Sequence, residues 1–266
     1  MNKPTLIERK ATKTSQGILS KGWYQVGSKI VLAKGNTTGN REPFAEVIGS
    51  KVAHYMSQGY GVVYRLAPAA DYPDLKLFDF GHVSVCDKYV AGDALQFSKY
   101  VDAVQGRALQ GIAYLDWIKN QPLAFRQRLC QMLFIDAVIG NQDRHLNNWD
   151  IEIHSGEILP FIDFGASCLG WAQLSTLAYR TEESISPDKA KPFDSTHLQQ
   201  IRHLQRILKG EGKIMVKDPE IAVQKALEQS QDVLALDRIY AEKVTAYLTN
   251  RAKVCKAKAK DILEVI

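Results

Sequence analysis

Apolar positions along this chain follow two spacings, and the change from one to the other divides it. Residues 29–34 read Lys-Ile-Val-Leu-Ala-Lys, a short, partly β-branched run that predicts a strand ending at Gly35. Alternation then puts Ile30, Leu32 and Lys34 on one face. In residues 43–56 the period lengthens: Phe44, Val47, Ile48, Val52 and Tyr55 form a helical stripe, with Pro43 in the first turn. Residues 83–90 predict a strand running into an extended connection, and residues 92–104 and 107–119 predict helices. The strongest helix is predicted over 122–139. Phe125, Leu129, Leu133 and Ala137 recur every four residues, Pro122 can open it, and Gly140 can end it in the left-handed conformation.

Beyond that helix, Trp149, Ile151 and Ile153 alternate with polar residues, Ser155-Gly156 supplies a turn, and residues 158–162 are apolar again. This predicts a hairpin that returns Asp163 beside Asn148. From Thr196 onward the period is helical, with one stripe of Leu198, Ile201, Leu204 and Leu208 and another of Leu236, Tyr240, Val244 and Tyr247.

The polar residues between these elements carry the chemistry. Residues 139–149 read Ile-Gly-Asn-Gln-Asp-Arg-His-Leu-Asn-Asn-Trp, and residues 161–165 read Phe-Ile-Asp-Phe-Gly. Phosphoryl transfer from ATP needs a carboxylate beside the acceptor hydroxyl and oxygen ligands that hold magnesium on the triphosphate. Asp143 suits the first task, and Asn148 and Asp163 suit the second. Asn148 follows Asp143 by five residues, the separation between base and metal-binding Asn in the protein-kinase catalytic loop. An Asp-rich turn alone would be only a turn. Here loop, spacing, hairpin and second motif coincide. Asp79-Phe80-Gly81 repeats the letters of the second motif ahead of any such loop, between Leu75-Lys76-Leu77 and Val83-Ser84-Val85, and reads as a hairpin turn.

The order Asp143-Arg144-His145, then Asn148, resembles the Asp-x-His-x-x-Asn loop of HipA-like kinases and the Asp-Arg-His-x-x-Asn loop of phosphoinositide kinases. Ordinary eukaryotic-type protein kinases carry His-Arg-Asp, and aminoglycoside-type phosphotransferases place His and Gly before the Asp. At this length the chain resembles most a compact HipA-like kinase domain. The resemblance implies an α+β, bilobal protein-kinase-like fold: a strand-rich lobe covering ATP over 1–85, a hinge over 86–90, and a helical lobe over 91–266. It implies a serine/threonine kinase using ATP and Mg2+, with a protein substrate.

Within that frame Lys34 grips the α- and β-phosphates, and Glu46 holds its ammonium in place. Glu46 lies off the apolar stripe on a face shared with Gly49 and Ala53, small neighbours that let the helix approach the sheet. An exposed strand-end lysine and a first-turn glutamate favoured by the helix dipole is the plainer alternative. The hinge at Cys86 to Lys88 would offer backbone hydrogen bonds to adenine. A phosphate-covering loop falls at 14–17 or 20–22, either of which also reads as a hairpin turn. Some HipA-like enzymes phosphorylate a serine in this loop as self-inhibition, which points to Ser15 or Ser20. His145 fits a proton-transfer role or a buttress of the loop, and Arg144 fits a phosphate or a carboxylate. Residues 181–192 fit an acceptor-binding segment or a connector. Family resemblance adds an antitoxin-type DNA-binding partner. The rival readings are a phosphoinositide or small-molecule kinase and a nucleotide-binding protein without turnover.

Composition permits these readings. The chain has 266 residues, 45% hydrophobic, enough for one bilobal unit or two small domains with a proper core. No apolar run reaches the length of about 18 residues that a membrane span needs, and residues 1–15 lack a signal-peptide core, so a soluble, cytoplasmic protein is expected. Cys86, Cys130, Cys168 and Cys255 are widely separated, which predicts reduced thiols and no zinc site. The net charge of +5 is mild. Arg251, Lys253, Lys256, Lys258 and Lys260 read as a solvated helix end or a contact for nucleic acid or anionic lipid.

Overall fold

Period-2 and helical segments separate in space as they do in sequence. The computed structural model describes residues 3–10, 20–36, 40–75, 81–88, 93–106, 109, 112–172 and 189–266. Strands β1 (Thr5–Lys10), β2 (Lys21–Val26), β3 (Lys29–Lys34), β4 (Arg65–Pro68) and β5 (His82–Asp87) form one antiparallel sheet in the order β1-β2-β3-β5-β4. Val31 and Ala33 join Tyr24, Val83 and Val85 in an apolar cluster on one face, while Leu32 and Cys86 join the main core on the other. β5 runs through Cys86 to Asp87, so the boundary expected at residues 85–86 falls inside a strand. The Lys88 N–H donates to the Ile30 carbonyl at 2.9 Å, still as part of the sheet.

Helix α1 (Glu42–Met56) crosses from β3 to β4 and is buried almost all round, not along one stripe. It lies under the sheet and packs on two helices of the other lobe, α4 (Leu123–Ile139) and α6 (Pro219–Glu228). The small residue Gly49 serves a different approach from the one expected. A Cβ there would fall 2.6 Å from Ser167 Oγ and 3.1 Å from Phe164 Cβ, so α1 closes on the turn after Asp163, not on the sheet.

The helical lobe departs from the sequence reading at two places. Residues 94–96 are not helical: they form β6 (Ala94–Gln96), paired antiparallel with β7 (Asp150–Glu152), and α2 (Phe97–Gln105) starts only at Phe97. Phe97 stacks on Trp149 with centroids 3.9 Å apart, which fixes that start. The expected 149–162 hairpin is correspondingly short. Ile151 bridges Ile158, after which the chain turns to pair Phe161 with Gly61. Among the described residues the remaining α-helices are α3 (Ile112–Lys119), α5 (His197–Leu208), α7 (Gln231–Leu234) and α8 (Arg238–Ala259), with a parallel pair β8 (Ile214–Val216) and β9 (Leu263–Val265).

Thr196 opens α5 with a reciprocal capping box to Gln199, and the predicted stripe faces inward. Leu236 precedes α8 and is exposed, whereas Tyr240, Val244 and Tyr247 are buried. The basic cluster also divides. Arg251 is buried and donates to the Ala137 carbonyl, Lys256 pairs with Asp218 and Glu220, and Lys253, Lys258 and Lys260 stay exposed. All four cysteines are buried and free, and burial pushes the Cys86 and Cys168 thiols up to about 12. No helix among the described residues is long and apolar enough to cross a membrane. The loop at 14–17, Ser15, Asp79-Phe80, residues 89–90 of the hinge and residues 181–188 lie outside the described residues.

The capping expectation at Gly140 yields a test. Its φ is +70°, and a Cβ would lie 2.1 Å from the hydroxyl of Tyr247 on α8. Gly140→Ala should cost about 2–4 kcal/mol in urea unfolding, from left-handed strain plus overpacking.

Candidate active site

One acid interrupts the apolar end of α4. Residues 132–139 read Met-Leu-Phe-Ile-Asp-Ala-Val-Ile, and Asp136 is buried among them. A carboxylate in that setting needs a partner. It finds Arg144, fully buried, which grips it through two bonds, Nε to Oδ2 at 2.7 Å and Nη2 to Oδ1 at 3.0 Å. The same guanidinium donates through Nη1 to the Asn148 carbonyl at 2.8 Å and to the Ile162 carbonyl. Arg144 therefore pairs with a carboxylate, and one side chain ties the end of α4, the 141–148 loop and the residue before Asp163 together.

Asn141 extends the anchor. Its amide donates to Asp136 Oδ1 at 2.9 Å, its Oδ1 accepts from the Asp143 N–H at 3.2 Å, and its carbonyl meets His197 Nε2 at 2.8 Å. Within the loop, the His145 N–H bonds the Asp143 carbonyl at 2.8 Å, and Asn148 Nδ2 donates to that same carbonyl at 2.6 Å. With its nitrogen so committed, the Asn148 side chain keeps its oxygen as the uncommitted end. His145 Nδ1 accepts from the Asn147 N–H at 3.2 Å, leaving Nε2 3.8 Å from Asp143 Oδ2.

The second cluster joins three distant segments. Lys34, at the end of β3, bonds Glu46 of α1 and, at 2.8 Å, Asp163 Oδ1. Glu46 also accepts the Phe164 N–H at 2.9 Å, so α1 is fastened to the residue after Asp163. Lys34 and Glu46 are both almost fully buried, which excludes the exposed-lysine reading. Asp163 has a φ of +66°, a left-handed conformation that Asp tolerates better than most residues and that re-aims its carboxylate.

Charge in this cluster is finely apportioned. Burial opposes ionisation of Asp163, yet Lys34 and then Lys21 outweigh it and hold the carboxyl well below the usual range. Burial likewise opposes charge on Lys34, but Asp163 and Glu46 raise its pKa above the ordinary lysine value. Glu46 goes the other way, pushed up by burial despite Lys34. Asp143 is pushed up by burial and by Asp163, against His145. His145 is held low by burial, against Asp143.

Lys21 was legible only as part of the 20–22 segment. Strand pairing sets it opposite Lys34, so this part of the expected covering loop is the start of β2, beside the cluster. Cys86 points into the core from β5, and the Lys88 N–H is engaged with Ile30. Beside Asp143 lies a cleft of about 430 Å3 lined by Ser98, His145, Leu146, Lys191 and Pro192. The Lys191 N–H bonds the Gln142 carbonyl at 3.0 Å, so this end of the 181–192 segment borders the loop.

The site therefore presents hard oxygen donors on Asn148 and Asp163, a buried lysine, and a partly exposed carboxylate at Asp143. No group of three or more His, Cys, Asp or Glu residues among the described residues could hold a metal ion alone. Asn148 and Asp163 are the residues whose oxygens would suit a hard divalent cation, with its remaining ligands to be supplied by a phosphate or water.

The anchor predicts strong non-additivity. Arg144→Met strands a buried carboxylate and should cost about 3–5 kcal/mol, while the Asp136→Leu/Arg144→Met double variant should cost less than the sum of the two single changes. Urea titrations of all four proteins measure the coupling.

No protein-family model matches the chain, and no curated protein matches it. Among solved structures it is similar to a Helicobacter pylori proinflammatory kinase, CtkA, at 14% identity over 98% of both chains with a TM-score of 0.62. The FAT and kinase domain of CtTel1 aligns more weakly, at 11% identity over 96% of this chain and 23% of that one, with a TM-score of 0.34. The full-length likeness, the five-stranded sheet and the helical second lobe together make this a kinase-like bilobal α+β fold.

Proposed function

We propose that this chain is an ATP- and Mg2+-dependent kinase that phosphorylates a protein hydroxyl, a serine/threonine kinase of the HipA-like kind. The observation that carries the reading is the buried Lys34, Glu46 and Asp163 cluster, assembled from segments 129 residues apart at its extremes. A structural ion pair needs one carboxylate. Two carboxylates on one lysine, one kept ionised beside a further lysine, suit a site that receives a phosphate and its cation. Likeness to a kinase fold is consistent with this.

In the proposed reaction Lys34, oriented by Glu46, binds the phosphates, and Asn148 and Asp163 would hold magnesium. Bound magnesium supplies charge neutralisation on the triphosphate. Asp143 orients the acceptor hydroxyl, whose oxygen bonds to the γ-phosphorus as the bond to the ADP oxygen breaks, and its carboxylate takes the proton. The transition state is loose, so positioning and electrostatics carry most of the acceleration. The cleft beside Asp143 offers room for the acceptor, and Ser20, at the start of β2, is the described candidate for autophosphorylation.

Two outcomes test the reading. With Mg2+ and ATP, ADP release and intact-mass gain should appear for wild type, and Asp163→Asn should lower turnover roughly 100-fold or more. Because burial raises the Asp143 pKa and the base must be ionised, turnover should fall on acidification with an acid limb above the ordinary aspartate value of about 4. An acid limb at or below that value contradicts the assignment of Asp143.

A further inference from the structure

A second cavity, of about 500 Å3, shares no residue with the site above. It lies between α2, α3, the start of α4 and the Ser155-Gly156-Glu157 turn, a volume within the range of small-molecule sites. Trp117 forms a largely buried aromatic wall. Phe125 meets its ring edge-on at 5.8 Å, and Tyr100 does so at 6.5 Å. Tyr60 and Arg128 complete the lining.

Arg128 is the chemically informative residue. Its guanidinium lies 3.8 Å over the Tyr60 ring, and Nη1 donates to Gln131 Oε1 at 2.6 Å. Tyr60 is itself fixed by a hydrogen bond to the Ile158 carbonyl and by edge contact with Phe161. The planar cation is thus clamped by a ring and an amide, and its other donors make no hydrogen bond among the described residues. Among the described residues no carboxylate pairs with it. A preorganised guanidinium edge next to aromatic walls matches a carboxylate joined to a flat apolar ring. Glu157 also borders the cavity, but it is exposed on the turn, where solvent screens it.

We propose that this cavity binds a small aryl carboxylate, with the ring against Trp117 and Phe125 and the carboxylate on Arg128. The proposal does not depend on phosphotransfer. Calorimetric titration of the full chain with 3-phenylpropionate tests it, alongside 3-phenyl-1-propanol and 2-phenylethylamine. A ligand of this size should bind with a Kd on the order of 1 mM. The alcohol and the amine should bind at least about tenfold more weakly, and Arg128→Gln should weaken the acid by about tenfold. Ala124→Phe fills the cavity from an exposed position on α4 and should abolish binding while leaving the melting temperature unchanged. No saturable binding of 3-phenylpropionate, equal binding of the amine or alcohol, or unchanged affinity in either variant would overturn the proposal.

Discussion

Lys34 must hold two carboxylates at once, and the arrangement of both lobes follows from that constraint. An isolated buried ammonium would be costly, and so would either acid without it. β3 supplies the cation, α1 supplies Glu46, and the segment after the short hairpin supplies Asp163. Glu46 then takes the Phe164 N–H, so α1 cannot move from Asp163 without breaking a buried hydrogen bond. Gly49 permits the close approach that this bond requires.

The Asp136 and Arg144 pair plays the complementary part on the helical side. It positions the loop backbone, not a reactive group, by holding the carbonyls of Asn148 and Ile162. At the far end of the segment, Arg41 ahead of α1 pairs with Asp237 at 2.7 Å, its N–H bonds the Gly170 carbonyl, and Tyr240 donates to the Cys168 carbonyl at 2.7 Å. The residues after Asp163 are thus fixed to α1 and α8 as well as to the loop. Reactive side chains on irregular backbone owe their placement to regular elements that carry no chemistry themselves.

Sequence patterns made the larger elements legible where a period was sustained. α4 with its Gly140 cap and β3 with Lys34 on its inner face follow from spacing, while the Lys34 to Glu46 partnership needed the kinase resemblance as well, since spacing alone also allowed an exposed lysine. The misread segments have physical reasons. Residues 94–96 are too short to show a period and become a strand because β7 offers an edge, while α1, buried almost all round, has no broad solvent face to reveal its orientation. Arg144 sat beside residues with stronger chemical signatures, and its partner lay eight residues upstream inside a helix. The one available signal was Asp136 itself, a lone acid in an eight-residue apolar run. Lys21 gave no signal beyond its place in the 20–22 segment, since only strand pairing brings it to Lys34.

On the proposed function, the Lys34, Glu46 and Asp163 cluster would receive a nucleotide triphosphate together with its cation. Calorimetric titration of a non-hydrolysable ATP analogue, with and without Mg2+, into wild type and Lys34→Met measures this apart from turnover. Mg2+-dependent binding to wild type is expected, with a loss of roughly tenfold or more in affinity for Lys34→Met. Equal affinity in the two proteins, or no binding to wild type with Mg2+ present, would contradict it.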